Sequence, residues 1–113
     1  MKIHLFGLHP VWVWDEVINE DMSAFCLLID STNPRSIYEG QAILKYLTLL
    51  DVVPHVVVAN KQDLEGALSL QQIRHRMRLI DRIRLIGCNA TERDSVRNVL
   101  LKLLYMILPD LKT

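Results

Sequence analysis

The sequence predicts an α/β domain built on a doubly wound, mainly parallel sheet with helices on both faces. Three observations lead there. Four short apolar runs, rich in Val, Ile and Leu, show no polar alternation, as strands covered on both faces require. Segments with apolar residues at helical spacing separate the later runs. Strand, helix and strand in succession then imply right-handed crossovers within one sheet.

In chain order, Lys2–Phe6 is the first run, stopped by Gly7 and, after Leu8 and His9, by Pro10. Ala24–Ile29 (AFCLLI) is the second, ended by the turn chemistry of Asp30-Ser31-Thr32-Asn33-Pro34. Asn33-Pro34 opens a helix whose apolar stripe is Ile37, Ala42, Ile43, Tyr46, Leu47 and Leu50. His55–Ala59 (HVVVA) is β-branched and runs into Asn60-Lys61-Gln62-Asp63. Ser69 reads as the N-cap of a short helix over Leu70–Met77. Ile83–Cys88 (IRLIGC) is the fourth run. Thr91 or Asp94 opens the last helix, where Val96, Val99, Leu100, Leu103, Leu104 and Ile107 recur before Pro109.

Composition limits the function classes. The 113 residues have room for one domain, 1–113. The 13 basic and 13 acidic residues cancel, against a nucleic-acid-binding module with its usual basic excess. Half the residues are apolar, too many for a disordered tail. No apolar run reaches the roughly 18 residues of a membrane span, and no leader pattern is visible, so a soluble cytoplasmic protein is expected. Cys26 and Cys88 lie in apolar runs without CxxC spacing, as buried reduced thiols do.

In such sheets ligands sit at the carboxyl ends of the strands. The residues to read for function are therefore Gly7-Leu8-His9-Pro10, Asp30-Ser31-Thr32, Asn60-Lys61-Gln62-Asp63 and Asn89-Ala90-Thr91. Asn60-Lys61-Gln62-Asp63 carries the most. A carboxylate such as Asp63 accepts two parallel hydrogen bonds from the ring N–H and exocyclic amine of guanine. Adenine lacks that donor pair, so a buried carboxylate would reject it. The Lys61 stem can lie across the base, and Asn60 can tie the loop to its neighbours. Read otherwise, the tetrapeptide is a polar strand-to-helix turn; its place after a β-branched strand favours a nucleotide site.

VVVANKQDLEGALS resembles the NKxD segment of small Ras- and Arf-like GTPases, and GCNATERDSVRNVLLKLL resembles their SAK-type guanine loop and final helix. The second segment is most similar to the bacterial gliding-motility (MglA-like) GTPases, with their "DAR.R.SV" pattern. IHLFG resembles the strand leading to the family's "FGTPGQERF", and Trp14-Asp15-Glu16 its following "WDE". The resemblance covers nearly the whole chain but matches only the later part of a GTPase. It implies a P-loop GTPase-like sheet lacking the first strands, and a switch that binds GTP and GDP and hydrolyses GTP slowly. It implies base contacts at Asn60, Lys61 and Asp63, and the Ala90 backbone N–H on the guanine carbonyl. Asn89 and Thr91 flank Ala90 where the family has Ser or Asp and Lys or Arg.

Other parts of the family pattern are missing. No GxxxxGK[ST] occurs in these residues, so nothing here cradles phosphates or supplies the magnesium-holding Ser or Thr. Magnesium is expected only if a phosphate loop comes from elsewhere. The first strand, the helix after the phosphate loop and the effector segment would lie before Met1. Gly7-Leu8-His9-Pro10 departs from "GTPGQ" and omits its second Gly and its Gln. GTP turnover by this chain is therefore not expected. The alternative to a nucleotide switch is a pseudo-GTPase interaction module; a response-regulator receiver is a third reading, opposed by the apolar start.

Several residues are discounted. His4, His9, His55 and His75 lack ligand spacing. Trp12 and Trp14 read as a packed pair. Arg74, Arg76, Arg78, Arg82 and Arg84 with His75 read as a solvated basic face. Losing the phosphate-loop strand leaves two outcomes: either the strands at Lys2–Phe6 and Ala24–Ile29 close up and pair, or a gap remains. The gap is the outcome expected from the family's strand order. It predicts self-association or a protein partner in the vacant strand position, because open apolar edges recruit strands.

Overall fold

Among the described residues, four parallel strands form one sheet in the order β1-β2-β3-β4: β1 is Ile3–Phe6, β2 Ala24–Asp30, β3 His55–Asn60 and β4 Arg84–Gly87. The computed structural model describes residues 3–6, 24–50, 53–89 and 91–107. Gly7-Leu8-His9-Pro10, Trp12, Trp14 and Ala90 lie outside the described residues.

Three helices are described: α1 over Pro34–Leu50 joins β2 to β3, α2 over Leu70–Arg76 joins β3 to β4, and α3 over Arg93–Ile107 follows β4. Right-handed crossovers between sequential neighbours put their helices on one face. Accordingly Ile37, Ile43, Leu44 and Leu47 of α1 and Ile73 of α2 pack with Phe25, Leu27, Ile29, Val57 and Ala59. On the other face Val99 and Leu103 of α3 cover Ala24, Cys26, Val56, Val58 and Ile86. Alternate residues of β2 and β3 thus enter two different cores, and this is why their sequences are apolar without a break.

The local signals work as the residues suggest. The Asn33 side chain accepts from the Arg35 N–H at 3.0 Å, with Pro34 at the first helical position. Ser69 caps α2 in a full capping box with Gln72, at 3.1 Å and 2.9 Å. α3 begins at Arg93, between the two starts the sequence offered. The α1 stripe differs from expectation: Ala42 and Tyr46 are exposed, while Gly40 and Leu44 face the sheet. A Cβ on Gly40 would meet Ile29 Cγ2 at 2.6 Å. The helix therefore approaches the strand over Gly40 and is turned about its axis toward it. Leu50 is in α1, with its side chain outside description.

β1 pairs directly with β2, Ile3 beside Ala24 through Phe6 beside Leu27. The vacant strand position is a correction to the sequence reading: the flanking strands have closed up. β2 then has hydrogen-bonded neighbours on both sides, so no apolar edge stands open there for a partner strand. The strand order departs at that junction from the one the resemblance implies. Pairing is favoured because an unpaired buried backbone group costs about 1–3 kcal/mol. Cys26 and Cys88 are free and buried, and burial pushes the Cys26 thiol up to about 11. Among the described residues no helix is long and apolar enough to cross a membrane.

Candidate functional site

β2 and β3 end level, Asp30 beside Asn60, and side chains extend the pairing past the last backbone bonds. The Asn60 carbonyl accepts from the Ser31 N–H at 3.1 Å. Lys61 Nζ donates to Asp30 Oδ2 at 2.9 Å. Gln62 Nε2 donates to Ser31 Oγ at 2.8 Å and to the Leu68 carbonyl at 2.9 Å. Its backbone N–H reaches the Cys88 carbonyl at 3.3 Å, tying in β4. Ser31 is completely buried. Lys61 has φ +63°, the left-handed region uncommon outside glycine. The chain turns sharply at that residue and sends Gln62 inward.

Asp30 is the electrostatic centre of this end. Its Oδ1 accepts from Thr32 Oγ1 at 2.6 Å and the Thr32 N–H at 2.9 Å. The Thr32 bonds first, and Lys61 next, hold its carboxyl down at about 2 against a smaller opposing effect of burial. The side chains of Lys61 and Asp30 are 47% and 27% exposed, so the pair is partly screened by water.

A second turn repeats the first. After β4, Asn89 Oδ1 accepts from Thr91 Oγ1 at 2.6 Å and the Thr91 N–H at 3.1 Å. The N–H of Asn89 donates to Ser95 Oγ at 2.9 Å, as that of Asp30 donates to Ser36 Oγ at 2.9 Å. Asp30-x-Thr32-x-x-x-Ser36 and Asn89-x-Thr91-x-x-x-Ser95 are thus one clasp used twice, each leading a strand into a helix. The repeated spacing is legible in the sequence.

The predicted residues fall as follows. Asn60, Lys61 and Asp63 lie together on the β3 turn, and Asn89 and Thr91 on the β4 turn, at the same end of a parallel sheet. Ala90 lies between the latter two, outside the described residues. Asp63 is exposed, where the reading of base recognition assumed a buried carboxylate. It makes no hydrogen bond or ion pair among the described residues. The Lys61 ammonium is held by Asp30. Asp30, Ser31 and Gln62, which position the loop, stand where the sequence places functional residues, at the carboxyl ends of β2 and β3, but their part in holding the loop depends on contacts between the two turns.

The arrangement offers an uncommitted carboxylate beside a fixed lysine stem, over a base closed by Gln62. Among the described residues no group of three or more His, Cys, Asp or Glu could hold a metal ion. His55 stacks on Phe25 at 4.6 Å, with Nδ1 2.9 Å from the Val53 carbonyl.

The family model of the ADP-ribosylation factor family matches residues 9–107 of the chain. No curated protein matches it.

Proposed function

The chain belongs to the ADP-ribosylation factor family of small GTP-binding proteins, and from that premise we propose that its β3 and β4 turns are the guanine-specificity portion of a GTP/GDP-dependent switch. The observation that carries the proposal is Asp63: an exposed carboxylate without a described partner, two residues beyond a lysine locked by Asp30. Guanine brings two donors in the spacing a carboxylate accepts. With Asp63 exposed, rejection of adenine comes from the contact formed when the base covers the carboxylate, not from a preformed dry pocket. Asn60 and Gln62 hold the loop, the Lys61 stem lies along the base, and the 89–91 turn contributes the Ala90 N–H beside Asn89 and Thr91.

The residues present fit the base and not the phosphates. No GxxxxGK[ST] occurs in the 113 residues, and no described carboxylate cluster suits magnesium. Bound magnesium would neutralise phosphate charge; a phosphate loop from elsewhere would have to bring it. Within the family, GCNATERDSV supports a place near the bacterial gliding-motility GTPases. The second reading is a pseudo-GTPase interaction module, favoured by the direct β1–β2 pairing. A segment completing the phosphate side would have to add beyond β1 or displace it.

Competition of labelled GDP against GDP, GTP, ATP and XTP tests the proposal, with the chain alone and with a phosphate-loop segment added. Guanine nucleotides should displace the label and ATP should not. Asp63→Asn, exchanging an acceptor for a donor, should move preference toward XTP. Equal displacement by ATP would remove the assignment. If no nucleotide binds in either arrangement, the interaction-module reading holds.

A further inference from the structure

The largest concentration of one charge stands at the opposite end of the sheet. Over residues 74–84 the chain carries Arg74, Arg76, Arg78, Arg82 and Arg84 against Asp81 alone. The strands are parallel, so α1 and α2 both descend to the amino-terminal strand edges. There the last turns of α1 and the 77–83 segment enclose a groove of about 350 Å³. Leu44, Leu79, Ile80 and Ile83 form its apolar floor, with Lys45 and Arg78 at the rim. Ile80 is 49% exposed.

The groove is preformed. Arg74 donates from Nη1 to the Ile80 carbonyl at 3.1 Å and from Nη2 to the Ile83 carbonyl at 2.9 Å. This locks the turn that carries the floor. Arg78 sits at φ +54°, and its N–H is held on the His75 carbonyl at 3.2 Å. Basic residues in the last turn of a helix are commonly explained by the helix dipole. That accounts for Arg74, His75 and Arg76. It does not account for Lys45, Arg78, Arg82 or Arg84, which lie outside that turn. Ion pairs among the described residues are Arg35 with Glu39 and Lys61 with Asp30; none neutralises this cluster.

We infer that the groove docks an acidic amphipathic segment of a partner protein. Apolar side chains would seat on Leu79, Ile80 and Ile83, and carboxylates would face Lys45 and Arg78. Apolar floor and cationic rim complement such a helix. Concavity favours a peptide over a lipid surface, which would need the same residues on a flat or convex face. The inference is independent of nucleotide binding, since the groove is remote from the β3 and β4 turns.

The test uses the whole chain and a fluorescein-labelled amphipathic helical peptide with Leu on one face and Glu on the other. Controls are the same peptide with Lys for Glu, and vesicles of phosphatidylserine or phosphatidylcholine. Fluorescence anisotropy should show saturable binding of the Glu peptide, weakened by added salt, and none of the Lys peptide. Lys45→Glu with Arg78→Asp should weaken Glu-peptide binding by about tenfold or more and admit the Lys peptide. Asp is chosen at position 78 because it tolerates positive φ. Lys45→Glu alone, on an exposed helix position, should show a smaller loss in the same direction if the double variant fails to fold. Failure of the Glu peptide to bind, or equal binding by the charge-reversed chain, overturns the inference. Binding to phosphatidylserine vesicles without binding to the peptide overturns it in favour of a lipid surface.

Discussion

Asp30 and Lys61 show how much of the candidate site depends on a residue that is not itself placed against the base. The Asp30 carboxyl titrates at about 2 in the folded chain, below the ordinary value of about 3.9. Its stabilising contribution is therefore complete above the ordinary value and disappears as pH falls from about 4 to about 2. Asp30→Asn removes the charge that Lys61 meets at 2.9 Å and keeps an acceptor for Thr32. Urea unfolding at neutral pH should show a loss of about 1 kcal/mol, discounted for the pair's exposure. The variant should also lose less stability between pH 4 and 2 than the parent. Equal slopes in that window would show that Asp30 carries no such linkage. Asp63→Asn, at an exposed position without a described partner, should stay within about 0.5 kcal/mol of the parent. It separates a base-contacting carboxylate from a structural one.

Among the elements, α1 and the two clasps make the sharpest claims. Helix propensity alone says that Gly40→Ala should stabilise by about 1 kcal/mol. The packing says otherwise: the added Cβ would stand 2.6 Å from Ile29 Cγ2, on a β-branched side chain with little rotamer freedom. A net loss of about 1–3 kcal/mol is expected in urea unfolding; a gain would mean that α1 can retreat from β2. The clasps differ at their first residue: Asp30 is charged and also meets Lys61, whereas Asn89 is a neutral amide. Thr32→Val removes the hydroxyl hydrogen bond to a carboxylate and Thr91→Val the one to a neutral amide, while both backbone N–H bonds stay. Bonds to an ionised group are the stronger. Thr32→Val should therefore cost more at neutral pH, and the difference should shrink as pH falls through about 2 and the Asp30 carboxyl protonates. On the opposite face, Leu103 is completely buried against Ala24, Cys26 and Val56. Leu103→Ala should cost about 2–5 kcal/mol.

For the molecule as a whole, the decisive feature is the closed sheet. Amide exchange should find β2 strongly protected along its length, held by β1 on one side and β3 on the other. The Ile3–Phe6 amides should be slower than those of exposed turns. Rapid exchange throughout β1 would reopen the strand position and restore the expectation of a partner there. Turnover is decided by what the 113 residues contain. Positioning and charge stabilisation supply nearly all of phosphoryl-transfer catalysis, and no GxxxxGK[ST] is present to provide them. The purified chain should release phosphate from GTP no faster than buffer. Magnesium-dependent release abolished by Asp63→Ala would contradict that reading.

Much of this was legible in the residues. Uninterrupted apolar strands announced a sheet buried on both faces, and Ser69 with Gln72 announced the start of α2, because these features depend on neighbours in sequence. Asn60-Lys61-Gln62-Asp63 pointed to the β3 turn for the same reason: its chemistry is local and its place after a strand is a matter of order. Contacts between distant residues were not legible. Asp30 holds Lys61, Gly40 admits Ile29, and Gln62 rather than Asp63 is the inward-facing residue of the turn, each because of how strands align in register and how closely a helix approaches them. The β1–β2 pairing belongs to the same class. A family's strand order cannot say what two flanking strands do when the one between them is missing from the segment. Pairing of backbone groups in three dimensions decides it, because leaving them unpaired costs more than moving the strands together.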